Sequence, residues 1–415
     1  MGLIGYRYDM EPDLFAKSSV GRPGSGLRLR AAATDPSAGP FGPRTPYMIR
    51  QVTSGTWREA CISAGDAGLN RDLPVFLADR KTSPILHEWH GDGRTHCPPL
   101  YWDLAIGSGP CGLGCRGCYL LGTFRERRDP HQPLIYDNVA FLWDAARRWL
   151  LAPGRRAMHT LGLGTDRSDS LLFEGILGHA RHLIPMFADP ARNPSGAKLL
   201  LLTKTANAHY LAGLPTANII VSFSLNPELI ADLWEGKWPD TMERITPSIE
   251  ARLNASFEAQ RMGFEIRWRI DPILTPDGWG GHYCEFLARA AAAGHRPIWI
   301  TLGTYRESTP ELQRWRRYWR LPPMEWTPEP LRRDGTHWHS PAAHRIAAYV
   351  EVARLCRELF PSAGVSLCKE TTEVRAATGL CSPGCNCVGS LSTTACGAPC
   401  AAPSHPTKES NERRT

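Results

Sequence analysis

Short apolar runs alternate along the chain with longer segments in which apolar and polar positions follow helical spacing. Such alternation is typical of βα units, which build a parallel sheet covered by helices. Helices are predicted over residues 139–151 and 245–263. Strands are predicted over residues 101–107, 159–164, 198–204, 218–225, 264–273, 297–303 and 363–368.

About six such units predict the fold class, which is α/β with a partial (β/α)6-type barrel. In barrels of this kind, chemistry sits at the C-terminal ends of the strands. We predict that the barrel covers residues 98–370 and that an N-terminal cap covers residues 51–97. The other predicted segments are an irregular extension at residues 1–50, a Cys-rich segment at 371–390 and a disordered tail at 391–415.

The composition is that of a globular protein, with 42% hydrophobic and 21% charged residues in 415, and a formal net charge of +7. No apolar run approaches the roughly 18 residues that a membrane-spanning helix needs. The N-terminal residues lack a basic stretch leading into an apolar core, so we expect a cytoplasmic location rather than secretion. In that setting, 13 cysteines favour metal binding or catalysis over disulfides.

Three cysteines, Cys111, Cys115 and Cys118, form a C-x3-C-x2-C run with interleaved glycines, directly after the first predicted strand. Glycine lets a loop curl so that several thiolates face one centre. A zinc site usually takes four protein ligands. Three thiolates instead leave one position of an iron–sulfur cluster open to a substrate or cofactor. The run therefore favours a [4Fe–4S] cluster, with zinc as the alternative.

Polar residues end the next three predicted strands. They are Asp166, Ser168 and Asp169 after the second strand, Lys204 after the third, and Ser224 and Asn226 after the fourth. Taken singly, each has a structural explanation, since Ser224 or Asn226 would cap a helix and Lys204 would be a solvated loop residue. Together, beside the cysteine loop, they predict a functional site.

Five sequence motifs resemble, in order and spacing, the spore photoproduct lyase family of radical S-adenosylmethionine enzymes. They are CGLGCRGCYL, DRSD, LLTKT, FSLNP and RIDPILTPDGW. The resemblance implies a radical S-adenosylmethionine barrel in which Cys111, Cys115 and Cys118 bind three irons of a [4Fe–4S] cluster, and the cofactor chelates the fourth. It also implies a cofactor pocket lined by Tyr119, Ser168, Asp169, Lys204, Ser224 and Asn226, with Lys204 pairing with the cofactor's carboxylate.

One departure from the family concerns the chemistry. The repair enzymes carry a cysteine just ahead of the Ser-Asp pair, and it donates a hydrogen atom to the thymine radical at the end of repair. Here the stretch reads Asp166-Arg167-Ser168-Asp169. An aspartate does not readily donate a hydrogen atom, because its O–H bond is too strong. We therefore expect Asp166, Ser168 and Asp169 to serve a reaction whose radical rearranges internally.

Lyase-like relatives in phages with hypermodified DNA imply such a reaction. There, glycine attached to thymidine through nitrogen becomes attached through its α-carbon, and the product radical recovers hydrogen from 5′-deoxyadenosine. We therefore expect a radical isomerase acting on glycyl-modified thymidine in viral DNA. Three alternatives stay open: lesion repair with another hydrogen donor such as Cys284, a radical enzyme acting on a peptide or small molecule, and a non-catalytic DNA-binding protein with structural metal.

A second group of cysteines lies near the C-terminus. It comprises Cys368, Cys381, Cys385 and Cys387. Four thiols would hold a second iron–sulfur cluster or a zinc ion, with a partly structural role as the alternative.

Clusters of arginine and aromatic residues at 124–128, 314–320 and 331–339 are compatible with DNA as the partner. Trp315 and Trp319 lie one helical turn apart, which favours packing on the barrel over base stacking. The predicted chemistry also needs an external electron donor such as flavodoxin or ferredoxin. A viral protein of this kind would work in the host cytoplasm.

Overall fold

The computed structural model describes three β-sheets and the helices that pack on the largest of them. It describes residues 27–30, 57–62, 69, 72–79, 85–89, 97, 100–108, 111–122, 133–236, 244–307, 331–334, 337–381 and 384–389.

The strands are numbered in chain order. They are β1 (Leu27–Arg30), β2 (Trp57–Ile62), β3 (Leu73–Ala78), β4 (Leu86–Glu88), β5 (Tyr101–Leu104), β6 (Gly107–Ser108), β7 (Leu134–Tyr136), β8 (Thr160–Leu163), β9 (Lys198–Thr203), β10 (Ile219–Ser224), β11 (Glu265–Ile273), β12 (Trp299–Thr304), β13 (Arg306–Glu307), β14 (Arg332–Asp334), β15 (His337–His339) and β16 (Gly364–Leu367). The α-helices are α1 (Val139–Leu151), α2 (Glu174–Leu177), α3 (His179–Ala188), α4 (Glu228–Glu235), α5 (Ile249–Arg261), α6 (Trp279–Ala292), α7 (Ala342–Leu359) and α8 (Thr372–Thr378).

The central sheet has the order β16-β12-β11-β10-β9-β8-β5-β4. Its strands from β5 to β16 pair in parallel, and β4 joins the edge antiparallel to β5. Parallel pairing brings the C-terminal ends of these strands to one edge of the sheet, where ligands bind in α/β proteins. The chain is therefore a mixed α/β protein with a largely parallel sheet.

The two faces of the central sheet differ in chemistry. One face packs against the helices, where Val221, Phe223 and Trp268 join helix residues such as Leu253 in a single core. The opposite face, which we call the polar face, carries the side chains at the positions in between on the same strands. They include Ser222, Ser224, Arg267, Arg269 and Thr301, all of them on β10, β11 or β12. Because side chains alternate along a strand, each strand contributes to both faces.

The predicted elements agree closely with the observed ones. Each of the seven predicted strands overlaps an observed strand of the central sheet, and helix α1 has the predicted bounds. The other predicted helix, over residues 245–263, is shorter as α5 because Ser248 accepts a hydrogen bond from the amide of Ala251 at 3.1 Å and begins the helix.

A second sheet, the N-terminal sheet, has the order β1-β2-β3-β7-β6. Its first strand, Leu27–Arg30, lies within the predicted irregular extension and pairs antiparallel with β2. The alternation in Leu-Arg-Leu-Arg fits this pairing, since alternating positions face opposite sides of a sheet. The rest of the extension and the predicted disordered tail at 391–415 lie outside the described residues. A third, small sheet contains β13, β15 and β14.

Candidate functional site

The loop after β6 carries Cys111, Cys115 and Cys118, and none of the three is in a disulfide. Their side chains join one cluster with apolar residues of the N-terminal sheet. Gly112 and Gly114 have φ angles of 91° and 71°, a left-handed conformation that favours glycine. The glycines between the cysteines therefore turn the loop, as the sequence predicted.

The end of helix α4 holds this cysteine loop in place. The amide of Arg116 donates a hydrogen bond to the carbonyl oxygen of Glu235, and the amide of Gly117 donates one to that of Trp234, each at 3.3 Å. A β-carbon on Gly117 would lie 1.9 Å from the Trp234 ring, so only glycine fits there. Trp234 and Glu235 could not be identified from the sequence, because both lie in a helix far along the chain from the cysteines.

Burial dominates the acid–base properties of the cysteine loop. Burial and, second, the charge of Glu235 together raise the pKa of Cys115 to about 12. Burial also raises the pKa of Cys111 well above its usual range. A metal that binds these sulfur atoms must therefore displace their protons.

Tyr119 links the cysteine loop to the end of β8. Its hydroxyl donates a hydrogen bond to the carboxylate of Asp166 at 3.0 Å and also to the backbone carbonyl oxygen of that residue. Gly164, with a φ angle of 65°, turns the chain out of β8 just before Asp166. Two predicted site residues, Tyr119 and Asp166, are thus in direct contact.

A second carboxyl group, that of Asp103 on β5, contacts Thr165 just after β8. It was not identified from the sequence. Its Oδ1 accepts hydrogen bonds from the amide and the hydroxyl of Thr165, each at 2.8 Å, while its buried Oδ2 has no partner. Burial and then the charge of Asp166 raise the pKa of Asp103 to about 7. The signal that could have revealed it is an acidic residue inside the apolar run of the first predicted strand.

Asp169 and Ser168 differ in how their oxygen atoms are used. The carboxylate of Asp169 accepts hydrogen bonds from the amides of Leu171 and Leu172 at 3.1 Å and from the amide of Lys204 at 2.7 Å. It therefore ties the end of β8 to the end of β9. By contrast, the buried hydroxyl of Ser168 has no hydrogen-bond partner. An orphaned hydroxyl beside the cysteine loop fits a site for a polar cofactor.

Lys204 lies between two of the neighbouring strand ends. Its ammonium donates a hydrogen bond to the Ser224 hydroxyl at 2.9 Å and lies 3.4 Å from the carboxylate of Glu235. Glu235 is also paired with the buried guanidinium of Arg252, with one contact of 2.8 Å. Burial alone would raise the pKa of Glu235, but the charges of Arg252 and Lys204 hold that pKa well below its usual range.

Asn226 and Ser224 lie at the same edge as Lys204. Asn226 is buried and accepts a hydrogen bond from the hydroxyl of Tyr283 at 3.2 Å. No side chain caps helix α4, whose N-cap residue is Pro227. The structural explanation of Ser224 and Asn226 as helix caps is therefore wrong.

A cationic cluster lies at the ends of β11 and β12. Arg269 and Arg306 both donate hydrogen bonds to the carboxylate of Asp271, at 2.7 and 2.8 Å for the shortest contacts. Both guanidinium groups also approach the sulfur of Cys368, at 3.0 and 3.5 Å. Burial would raise the pKa of Asp271, but the two guanidinium groups hold it well below its usual range.

The C-terminal segment, residues 384–389, lies against the polar face. The guanidinium of Arg267 donates hydrogen bonds to four of its carbonyl oxygens, at 2.6 to 3.2 Å. The side-chain amide of Asn386 donates one to the Ser222 hydroxyl at 2.7 Å, and its backbone amide donates one to Thr301 at 3.0 Å. The Cys-rich segment that the sequence placed after the sheet is therefore partly built into it.

The structure groups the C-terminal cysteines differently from the prediction. Cys385 and Cys387 contact Cys97 rather than forming one group with Cys368 and Cys381. The sulfur of Cys368 faces the two guanidinium groups at the strand ends, and Cys381 is disulfide-bonded. The four sulfur atoms of the predicted C-terminal site therefore have different partners in the structure.

Within the described ranges, no three His, Cys, Asp or Glu side chains converge on a point that would hold a single metal ion. An iron–sulfur cluster differs, because each of its thiolates binds a separate iron. The three cysteines of the cysteine loop, none of them in a disulfide, offer the thiolates that such a cluster needs.

Other predicted features lie away from the C-terminal edge of the central sheet or outside the described residues. Cys284 is exposed on helix α6, so it does not take the place of a cysteine at the strand ends. The Arg-rich clusters at 124–128 and 314–320 lie outside the described residues. None of the helices that the structure describes is both long and apolar enough to cross a membrane.

The fold is similar to that of spore photoproduct lyase. A cysteine variant of that enzyme has a TM-score of 0.56 and 17% identity, covering 71% of this chain and 82% of its own. The enzyme complexed with dinucleoside spore photoproduct gives 0.55, with the same identity and coverage. A double variant with bound AdoMet and dinucleoside spore photoproduct gives 0.53 and 18%, covering 65% and 77%. No family model and no curated protein matches the chain.

Proposed function

We propose that this protein is a radical S-adenosylmethionine enzyme that acts on a 5-substituted thymidine in DNA. The observation that carries the proposal is the group of three glycine-spaced cysteines, Cys111, Cys115 and Cys118, none of them in a disulfide, together with the orphaned hydroxyl of Ser168. The fold shared with spore photoproduct lyase supports it, because one of those structures holds AdoMet and a dinucleoside substrate.

The bound cluster and S-adenosylmethionine would supply a 5′-deoxyadenosyl radical that removes an unactivated hydrogen atom from the substrate. The three cysteines would hold the cluster, in a loop fixed by helix α4. Ser168, Lys204 and Ser224 would hold polar groups of S-adenosylmethionine, with the ammonium of Lys204 near its carboxylate. The apolar side chains around the cysteines would limit the access of water.

Two predicted pocket residues take narrower roles in this proposal. Asp169 positions Lys204 through its backbone hydrogen bond and does not need to touch the cofactor. Tyr119, through its bond to Asp166, sets the distance between the cysteine loop and the end of β8. Asn226 would complete the pocket at the end of β10.

We favour isomerisation of a glycyl-modified thymidine, from a nitrogen-linked to an α-carbon-linked adduct, within viral DNA hypermodification. This choice is supported by Asp166, which takes the position of the cysteine in the repair enzymes. A carboxyl group beside a substrate amine would bind its charged form and hold it near the radical. Lesion repair is the second candidate, because structures of the repair enzyme share this fold.

Anaerobic reconstitution with iron and sulfide tests the radical chemistry. We expect cluster absorbance and reductive formation of 5′-deoxyadenosine from S-adenosylmethionine, both lost in Cys115→Ala. Cys284→Ala is the matched control, because that thiol is exposed on helix α6. Full activity of Cys115→Ala would reject the assigned cluster.

Product analysis separates the two reactions. The enzyme would be given DNA containing glycyl-modified thymidine, or DNA containing a methylene-bridged thymine dimer, and the nucleosides analysed by mass and retention. An isomer of unchanged mass from the first substrate supports isomerisation, whereas thymidine restored from the second supports repair.

The remaining features follow from this proposal. The polar face would line a partial (β/α)6-type barrel, which is supported by the contacts of Asn386 with both β10 and β12. DNA would approach the C-terminal ends of the strands, where the cationic Arg269–Asp271–Arg306 cluster would favour an anionic substrate. A flavodoxin or ferredoxin would supply the electron.

A further inference from the structure

The guanidinium groups of Arg269 and Arg306, which we call the guanidinium pair, converge on one carboxylate and one sulfur atom. Oδ2 of Asp271 accepts hydrogen bonds from Nη2 of both arginines, at 2.7 and 2.8 Å. The sulfur of Cys368 lies 3.0 Å from Nη2 of Arg269 and 3.5 Å from that of Arg306. Burial raises the pKa of Cys368, which keeps this sulfur a neutral thiol. Two cations therefore share one anion.

The guanidinium pair also keeps donor groups that no described residue binds. Within the described ranges, Nη1 of Arg269 and Nε of Arg306 make no hydrogen bond, and neither nitrogen is fully buried. The two side chains are 18% and 14% exposed, and Asp271 is the one carboxylate that contacts them in that part of the chain. The surplus positive charge and its open donors can therefore meet an anionic ligand.

The local fold brings the members of this cluster together. In the stretch that contains Asp271, β11 has one residue more than the paired stretch of β12. Such bulges re-aim a side chain and are frequent next to active sites. A β-carbon on Gly303 of β12 would lie 2.5 Å from Asp271 and 2.9 Å from Arg306, so a larger residue there would force the two apart. The close approach of the charged groups thus depends on a bulge and on a glycine.

The guanidinium pair lies one strand away from the proposed cofactor pocket. Arg269 pairs in register with Ser224 of β10, whose hydroxyl binds the ammonium of Lys204. Neighbouring strands are about 4.8 Å apart, and both side chains stand on the polar face. An anion held by the guanidinium pair would therefore lie beside the cofactor without taking its place.

We infer that Arg269 and Arg306 bind the phosphodiester group of DNA next to the modified thymidine. The inference rests on the proposed function and deepens it, because it makes the DNA backbone a recognised part of the substrate. Guanidinium groups bind phosphate oxygens through strong charge-assisted hydrogen bonds. A diester phosphate carries one negative charge, which matches the surplus of the pair. Phosphate contacts fix register and orientation, so this one would set the position of the base relative to the cofactor.

Binding of single-stranded oligonucleotides to the metal-free protein tests the inference without radical chemistry. We expect Arg269→Met and Arg306→Met each to raise the Kd by roughly tenfold, as loss of a hydrogen bond to a charged group does. Each should also reduce the slope of log Kd against log salt concentration by about one. Arg289→Met is the matched control, because that guanidinium is exposed on helix α6. A wild-type Kd and slope in both variants would overturn the inference.

A change at Cys368 tests the charge while both arginines stay in place. Cys368→Asp would put a carboxylate between the two guanidinium groups and compensate their surplus charge. We expect its oligonucleotide binding to fall as in the arginine variants, while its stability to denaturant is not reduced. Cys368→Ser is the control, since it adds no charge and should bind like the wild-type protein. Wild-type binding by folded Cys368→Asp would contradict the inference.

Modified oligonucleotides and small competitors identify the source of the phosphate. An uncharged methylphosphonate beside the target thymidine should weaken binding to the wild-type protein by roughly tenfold, but should weaken binding to Arg306→Met much less, because the partner is already absent. Thymidine monophosphate and inorganic phosphate should compete only far above the oligonucleotide concentration. Competition by either at the oligonucleotide's own concentration would assign the pair to a free phosphate and overturn DNA as its source.

The reconstituted protein separates failure of this inference from failure of the proposed function. If the wild-type protein forms no 5′-deoxyadenosine from S-adenosylmethionine, the radical chemistry fails, whereas the binding result on the metal-free protein stands. If it forms 5′-deoxyadenosine but its oligonucleotide binding does not depend on either arginine, the phosphate site alone is refuted.

Discussion

The ammonium of Lys204 lies 3.4 Å from the carboxylate of Glu235, which connects the proposed cofactor pocket to the helix end that holds the cysteine loop. Glu235 is also the counter-ion of Arg252, and both side chains are almost completely buried. One carboxylate thus compensates several buried cations. Replacing it leaves charges without a partner in a medium of low dielectric constant.

Glu235→Gln should therefore destabilise the protein by about 3–5 kcal/mol, the usual cost of breaking a buried ion pair. Denaturant unfolding of the metal-free protein measures this change directly. The control is Glu351→Gln, because the Glu351–Arg354 pair is exposed and should contribute less than about 1 kcal/mol. Equal stability of the two variants would contradict the role of Glu235.

Gly117→Ala should abolish cluster binding. Its β-carbon would lie 1.9 Å from the Trp234 ring, so the cysteine loop would have to leave helix α4. Iron and sulfide content after reconstitution is the measurement. Gly281→Ala is the matched control, because a β-carbon there meets nothing within 4 Å and alanine favours a helix by roughly 1 kcal/mol over glycine. A full cluster in Gly117→Ala would show that the contact with Trp234 is not required.

The strands could be predicted because parallel strands that are buried on both faces appear as continuous apolar runs, as in Lys198–Thr203. The cysteine loop could be predicted because its spacing is local. Glu235 and Asp103 could not, since a single acidic residue in a helix or strand carries no sign of the buried cations or carboxylates that will surround it. Their roles arise from contacts between distant segments.

The cysteine that is absent at the Asp166 position shows the same limit of prediction from sequence. Along the chain after Cys118, the first cysteine that could replace it is Cys284, which is exposed. Cys97, from before the cysteine loop, joins one cluster with Cys385 and Cys387 of the C-terminal segment. Sequence order could not reveal this neighbour, because β5 and the C-terminal segment meet only on the folded polar face.

Asp103 should make the stability of the protein depend on pH. Burial and the charge of Asp166 raise its pKa from 3.8 to about 7, so the folded state holds a proton that the unfolded state releases above pH 3.8. The stabilisation is thus complete below that pH and is lost as the pH rises through 7. Between pH 5 and pH 8, the loss should be roughly 3 kcal/mol.

Unfolding of Asp103→Asn at pH 5 and pH 8 measures this contribution. The amide keeps the shape of the neutral carboxyl group and does not titrate, so the difference in stability between the two pH values should shrink. Asp277→Asn, at an exposed position, should retain the wild-type dependence. An unchanged pH dependence in Asp103→Asn would show that this carboxyl group is not the source.

Arg267→Met should release the C-terminal segment while leaving the central sheet intact. The guanidinium donates to four carbonyl oxygens of residues 385–389, and methionine offers similar apolar volume without donors. Hydrogen bonds to charged groups contribute about 1.5–3 kcal/mol each, so amide exchange in this segment should accelerate by roughly 100-fold or more. Hydrogen exchange read by mass spectrometry measures this, with Arg192→Met, an exposed guanidinium, as the control. Slow exchange retained in Arg267→Met would place the anchor of the segment elsewhere, for example at Asn386 and its bond to Ser222.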